Sequence, residues 1–142
     1  MKTLLRILTV LAVAPALADA KVKAGPRKGR ILELEGQNAE FFVEKDRTIS
    51  IAFYDATGKN QPVAEQVLTA TAEAPGAKTN LEFEKKRDLL VSKAPLPAGE
   101  GYQVVVQAKT TADAKQKNFR IKLETHICKK CDNPEYACTC DE

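Results

Sequence analysis

The sequence predicts an all-β protein: an immunoglobulin-like antiparallel β-sandwich of about seven or eight strands with a short C-terminal Cys-rich tail. Three observations lead there. From Arg30 to about Thr125, apolar and polar residues alternate with a period of two. Clusters of turn-forming residues interrupt that alternation at short intervals. No stretch between them carries a convincing amphipathic helical pattern.

In chain order, Leu32 and Leu34 alternate with Glu33 and Glu35, the signature of a strand with one buried and one wet face. Ile49, Ile51 and Phe53 alternate in the same way with Ser50, Ala52 and Tyr54. Leu68, Ala70 and Ala72 oppose Thr69, Thr71 and Glu73, and their small side chains predict a close approach of two sheets. Leu81 and Phe83 oppose Glu82 and Glu84. Tyr102, Val104 and Val106 face away from Gln103 and Gln107, and Phe119, Ile121 and Leu123 from Arg120, Lys122 and Glu124. Turns are expected at Thr57-Gly58-Lys59-Asn60, at Ala74-Pro75-Gly76, over 85–88 and over 95–101. Tyr102 enters a valine-rich strand as a packing residue, with a corner tyrosine as the alternative.

The N-terminus reads as an export signal. Lys2 and Arg6 form a short positive region, Leu4 to Leu17 supply an apolar one, and Ala18-Asp19-Ala20 supplies an A-x-A cleavage site. The expected destination is the periplasm. The apolar run is too short to span a bilayer, so no stable membrane insertion is expected after cleavage. The resulting organisation is a signal peptide over 1–20, a flexible basic leader over 21–29, a sandwich over 30–125 and a cysteine-rich tail over 126–142. Lys21, Lys23, Arg27, Lys28 and Arg30, set among glycines and a proline, give the leader its solvated character.

Charge excludes little. Lys and Arg total 22 against 19 Asp and Glu, for a net +3, and no basic run is interleaved with aromatics, so nucleic acid is a poor partner. Residues 30–125 contain neither histidine nor cysteine. Their carboxylates, among them Glu33, Glu35, Glu82 and Glu84, fall on wet strand faces rather than in an acid/base pair. The body reads as a scaffold, not an enzyme.

All four cysteines lie in the tail, as Cys128-x-x-Cys131 and Cys138-x-Cys140. A Cys-x-x-Cys turn sends both thiolates to one side, and Asp132-Asn133-Pro134 can fold the second pair back to complete a tetrahedron. Such a set suits Zn(II), Cu(I), Ag(I) or Cd(II), with Zn(II) or Cu(I) favoured. Lys129 and Lys130 would offset the thiolate charge and lower the thiol pKa values. His126 is a further candidate ligand, and Tyr136 a shield for the site. Met1 is the only methionine and there is no tryptophan, so the site must rest on thiolates. Two disulfides are the alternative in an exported chain. A bridge between Cys138 and Cys140 would be strained, which leaves the two crossed pairings. Thiol redox exchange at Cys128 and Cys131 ranks third, for want of a thioredoxin-like βαβ pattern.

Several stretches carry a likeness. They are Phe53-Tyr54-Asp55 leading to Pro62-Val63, Thr79 to Lys86, Leu96 to Gln107, and the ending from Thr125-His126 through both cysteine pairs. Together they resemble a group of small exported bacterial proteins similar to the sandwich domains accompanying periplasmic adaptors of heavy-metal efflux pumps. The resemblance implies binding or delivery of copper, silver, zinc or cadmium through Cys128, Cys131, Cys138 and Cys140, with His126 as an addition and an efflux adaptor as a possible partner. The chain lacks an adaptor's long helical hairpin and the Met and His ligands of copper chaperones. The rival expectation is an exported interaction module with a disulfide-stapled tail.

Overall fold

The computed structural model describes residues 21–140. The signal peptide expected over 1–20 lies outside the described residues. The described residues form nine strands: β1 (Arg30–Glu33), β2 (Asn38–Val43), β3 (Ile49–Tyr54), β4 (Asn60–Gln61), β5 (Val67–Ala74), β6 (Ala77–Lys86), β7 (Leu89–Ser92), β8 (Gln103–Lys109) and β9 (Lys117–Lys122). Among the described residues no helix is long and apolar enough to cross a membrane.

Every ladder is antiparallel, and hydrogen bonding runs through β1-β2-β3-β7-β6-β5-β8-β9, with β4 beside β3. The result is one sheet curled nearly into a barrel, where the sequence led to an expectation of an immunoglobulin-like sandwich. The long strand β6 makes the continuity. Up to Glu82 it pairs with β5, and from Phe83 onward with β7. The edges β1 and β9 approach without a ladder, and Lys117 Nζ donates to Glu33 O at 3.0 Å across the gap.

The alternation translates into burial as the sequence requires. Leu32, Leu68, Ala70, Ala72, Leu81, Val104, Val106, Ile121 and Leu123 are all buried in one core. Each large aliphatic chain removed from water there contributes about 1.5–3 kcal/mol. Tyr102 combines both roles expected of it: its ring is buried, and its hydroxyl donates to Pro97 O, five residues upstream, at 2.7 Å.

Two expectations fail, for one reason. β3 does not have a wet face, because all six of its residues are buried. The cover on its outer side includes residues 21–29, read from sequence as a flexible leader. Glu40, on β2, is fully buried, and its Oε1 accepts from the backbone N–H groups of Arg27 and Gly29, each at 2.9 Å. Its Oε2 accepts from the Tyr54 hydroxyl at 2.8 Å. The loop closes on itself through Gly25 N–H to Gly29 O at 2.8 Å. Glycine is required at its end, since a Cβ on Gly29 would lie 2.4 Å from Phe41 O. Arg27 then lies over the Phe42 ring, 4.5 Å from its centroid, and pairs with Glu44 at 2.7 Å. A buried carboxylate that satisfies three donors organises this segment, and a reading of charge alone would place it in solvent.

Candidate metal centre

The chain after β9 does not trail away. Leu123 is buried and exchanges backbone hydrogen bonds with Gly101 and Tyr102. The next segment then doubles back on itself. Tyr136 N–H donates to Glu124 O at 3.0 Å, Glu135 N–H to His126 O at 2.9 Å, and Cys128 N–H to Asn133 O at 2.8 Å. A bridge between Ile127 and Pro134 completes this narrow antiparallel loop. Tyr136 pins it to the core. It sits in a short 3-10 turn (Glu135–Ala137), its ring meets Phe41 edge-on at 5.6 Å, and its hydroxyl accepts from Val43 N–H at 3.1 Å. Tyr136 is therefore an anchor in the core, not the shield over the cysteines that its spacing suggested.

That anchoring sets the cysteines. At the loop tip, Asp132 N–H donates to Cys128 O at 2.9 Å, and Asp132 adopts φ +58°. Asp is among the few non-glycine residues that tolerate this left-handed conformation, which turns the chain sharply after Cys131. The 3-10 turn delivers Cys138 and Cys140 to the same place. The four Sγ atoms all lie within 4.8 Å of one another. Cys128 and Cys140 are 3.8 Å apart, and Cys131 and Cys138 3.6 Å. A tetrahedral metal with thiolate bonds of about 2.3 Å requires sulfurs separated by about 3.8 Å. All four cysteines are free and half-buried.

Backbone donors and mutual contact split the thiols electrostatically. The N–H groups of Thr139 and Asn133 point at Cys131, and with contacts from Cys138 and Cys128 they bring its pKa down to about 6. The lysines were expected to do this, but the donors are peptide groups. Cys140 is pushed up to about 12, first by desolvation and then by hydrogen bonding among the sulfurs. For Cys138 the Cys140 N–H favours the thiolate, yet contact with Cys128, desolvation and contact with Cys131 leave its pKa raised. Peptide N–H groups thus favour the thiolate at Cys131, while desolvation and sulfur contacts favour the thiol at Cys138 and Cys140.

His126 stands outside this set. Its side chain is exposed, and its Nε2 lies 3.8 Å from Glu135 Oε2. Sequence reasoning missed two supports of the loop. Lys28, itself at φ +64°, extends Nζ to Asp132 Oδ2 at 2.6 Å and to Asp132 O at 3.2 Å, which ties the N-terminal loop to the cysteine turn. Asn133 is buried, and its carbonyl receives Cys128 N–H. The Asp132-Asn133-Pro134 turn was legible, but nothing in the sequence pairs it with a lysine 104 positions earlier.

No family model, curated protein or solved structure matches this chain. What can be said of its function rests on the residues themselves.

Proposed function

We propose that the protein is an exported soft-metal-binding protein that holds one ion, Zn(II) before Cu(I), on Cys128, Cys131, Cys138 and Cys140 and buffers it or passes it on. The observation that carries this reading is the convergence of four sulfurs within 4.8 Å of one another, two of the pairs at 3.8 and 3.6 Å. That spacing favours a four-coordinate divalent ion over Cu(I), which is satisfied by fewer sulfurs. His126 is not needed in the ligand set.

The loop's anchoring favours cargo over structural staple. Tyr136 and the backbone bonds from Glu124 to Asn133 hold the loop without calling on any metal bond. The half-exposed sulfurs leave the ion open to exchange. Periplasmic residence is inferred from the signal peptide expected over 1–20. Handover to a heavy-metal efflux adaptor is inferred from the resemblance noted above, and no catalysis is required.

Co(II) titration of the reduced protein tests the reading. Intense thiolate-to-metal absorption at one equivalent is expected, with Zn(II) displacing Co(II). A Cys138→Ser variant should lose most of the affinity and keep its β-sheet circular dichroism. Collapse of the sheet on chelation would make the metal structural instead. One observation favours the rival reading of a disulfide-stapled interaction module: the contacts of Cys128 with Cys140 at 3.8 Å and Cys131 with Cys138 at 3.6 Å match one of the two feasible crossed pairings. Metal uptake only after reductant would mark that state as the resting one.

A further inference from the structure

One side of the sulfur cluster opens on a cleft of about 760 Å³. Cys128, Cys138 and Cys140 line it, while Cys131 does not. The cleft walls mix apolar side chains, Val22, Ile127 and Tyr136, with charged ones, and among the charged ones cations outnumber carboxylates. Arg30 and Lys122 reach it from the barrel, and Lys129 and Lys130 from the cysteine turn, against two carboxylates, Glu124 and Glu135. Lys122 is itself paired with Glu124 at 2.9 Å, so the exposed Lys129 and Lys130 carry most of the surplus.

Lysines beside a four-thiolate site offset its charge, and here they also line the cleft that leads to three of the sulfurs. Four thiolates around a divalent cation leave a net charge of −2, which repels any incoming anion. The surplus of cations in this cleft opposes that charge, and charges of one sign lining a cleft raise the local concentration of the opposite sign. The volume suits a small molecule rather than a protein loop with its flanks.

We propose that the cleft is the exchange port of the metal site and that it admits a small anionic chelator, a carboxylate- or thiolate-bearing metal ligand. This rests on the soft-metal reading above. An incoming donor forms a bond to the metal as a cleft-lining sulfur releases it. That sulfur leaves as thiolate and takes a proton from water. Cys131, outside the cleft, is the sulfur an incoming donor reaches last.

The test is stopped-flow removal of Co(II) from the loaded full-length protein by two chelators, an anionic aminopolycarboxylate and an uncharged pyridyl polyamine. The readout is the ratio of the two rates, which cancels changes in metal affinity. In a Lys129→Gln/Lys130→Gln variant the ratio should fall about tenfold, and raising the salt should lower it in the native protein. A Lys115→Gln control, beyond the far end of β9 from Lys122, should leave it unchanged. A ratio indifferent to both the lysines and salt would overturn the proposal while the soft-metal reading stands. Failure of the native protein to show the Co(II)-thiolate spectrum would sink both.

Discussion

Removing Tyr136 should separate a loop that docks by itself from one that metal assembles. The ring is 4% exposed and meets Phe41 edge-on, and its hydroxyl receives Val43 N–H. Truncating a buried aromatic to alanine costs about 3–5 kcal/mol. Tyr136→Phe removes only the acceptor and leaves the Val43 N–H unpaired, for about 1–2 kcal/mol. Urea denaturation of the reduced, metal-free protein should therefore rank native above Tyr136→Phe above Tyr136→Ala, with roughly 4 kcal/mol between the extremes. In a thermal scan that difference amounts to roughly 15 °C. The loop could also peel away, in which case the measured loss is capped at its docking free energy. A metal-free Tyr136→Ala protein within about 1 kcal/mol of native would show that the loop contributes nothing before metal arrives. The cargo argument would then fail.

Two further expectations follow from the barrel. Glu40→Ala deprives Arg27 N–H, Gly29 N–H and the Tyr54 hydroxyl of their acceptor, and should cost about 2–4 kcal/mol. Glu40→Gln, which keeps one acceptor oxygen, should cost less, and equal melting temperatures for the two variants would contradict the role assigned to Glu40. The second concerns acid. Asp55 is held below the ordinary carboxylate range by hydrogen bonds from the Thr57 hydroxyl and the Lys59 N–H, and Asp46 by those from Thr48. Lowered folded-state values stabilise the protein above the unfolded carboxylate pKa, near 4, and that stability is lost as pH falls through the folded values. An Asp46→Asn/Asp55→Asn variant should lose less melting temperature than native between about pH 5 and pH 2. Parallel curves would refute the assignment.

The parts of the fold legible in the sequence are those where one side of a strand meets the core and the other meets water. Val104 and Val106 of β8, and Ile121 with Leu123 at β9 and just beyond, were placed by alternation alone. The reading broke down at β2 and β3. In Asn38 to Val43 the adjacent phenylalanines blur the alternation, and Glu40 is buried under the Gly25–Gly29 loop while Asn38 and Phe42 stay half-exposed. Neither half of that contact announces itself. The glycines and basic residues of the loop have the composition of a solvated leader, and the glutamate has the look of a surface residue. At the site, the four cysteines could be named because both pairs lie within one short turn-bearing segment. What holds them could not: Tyr136 reaches Val43 across 93 positions, and Lys28 reaches Asp132 across 104. The depression of Cys131 by peptide N–H groups, rather than by adjacent lysines, likewise depends on where the chain turns.

The central claim is that four thiolates hold a metal ion in the working protein. It is tested most directly by native mass spectrometry of protein recovered from its own compartment, with thiols trapped on lysis. The account predicts a mass increment of one divalent ion, lost to chelator and absent from Cys138→Ser. A metal-free mass, lighter than the reduced chain by the hydrogens of two disulfides, would contradict it.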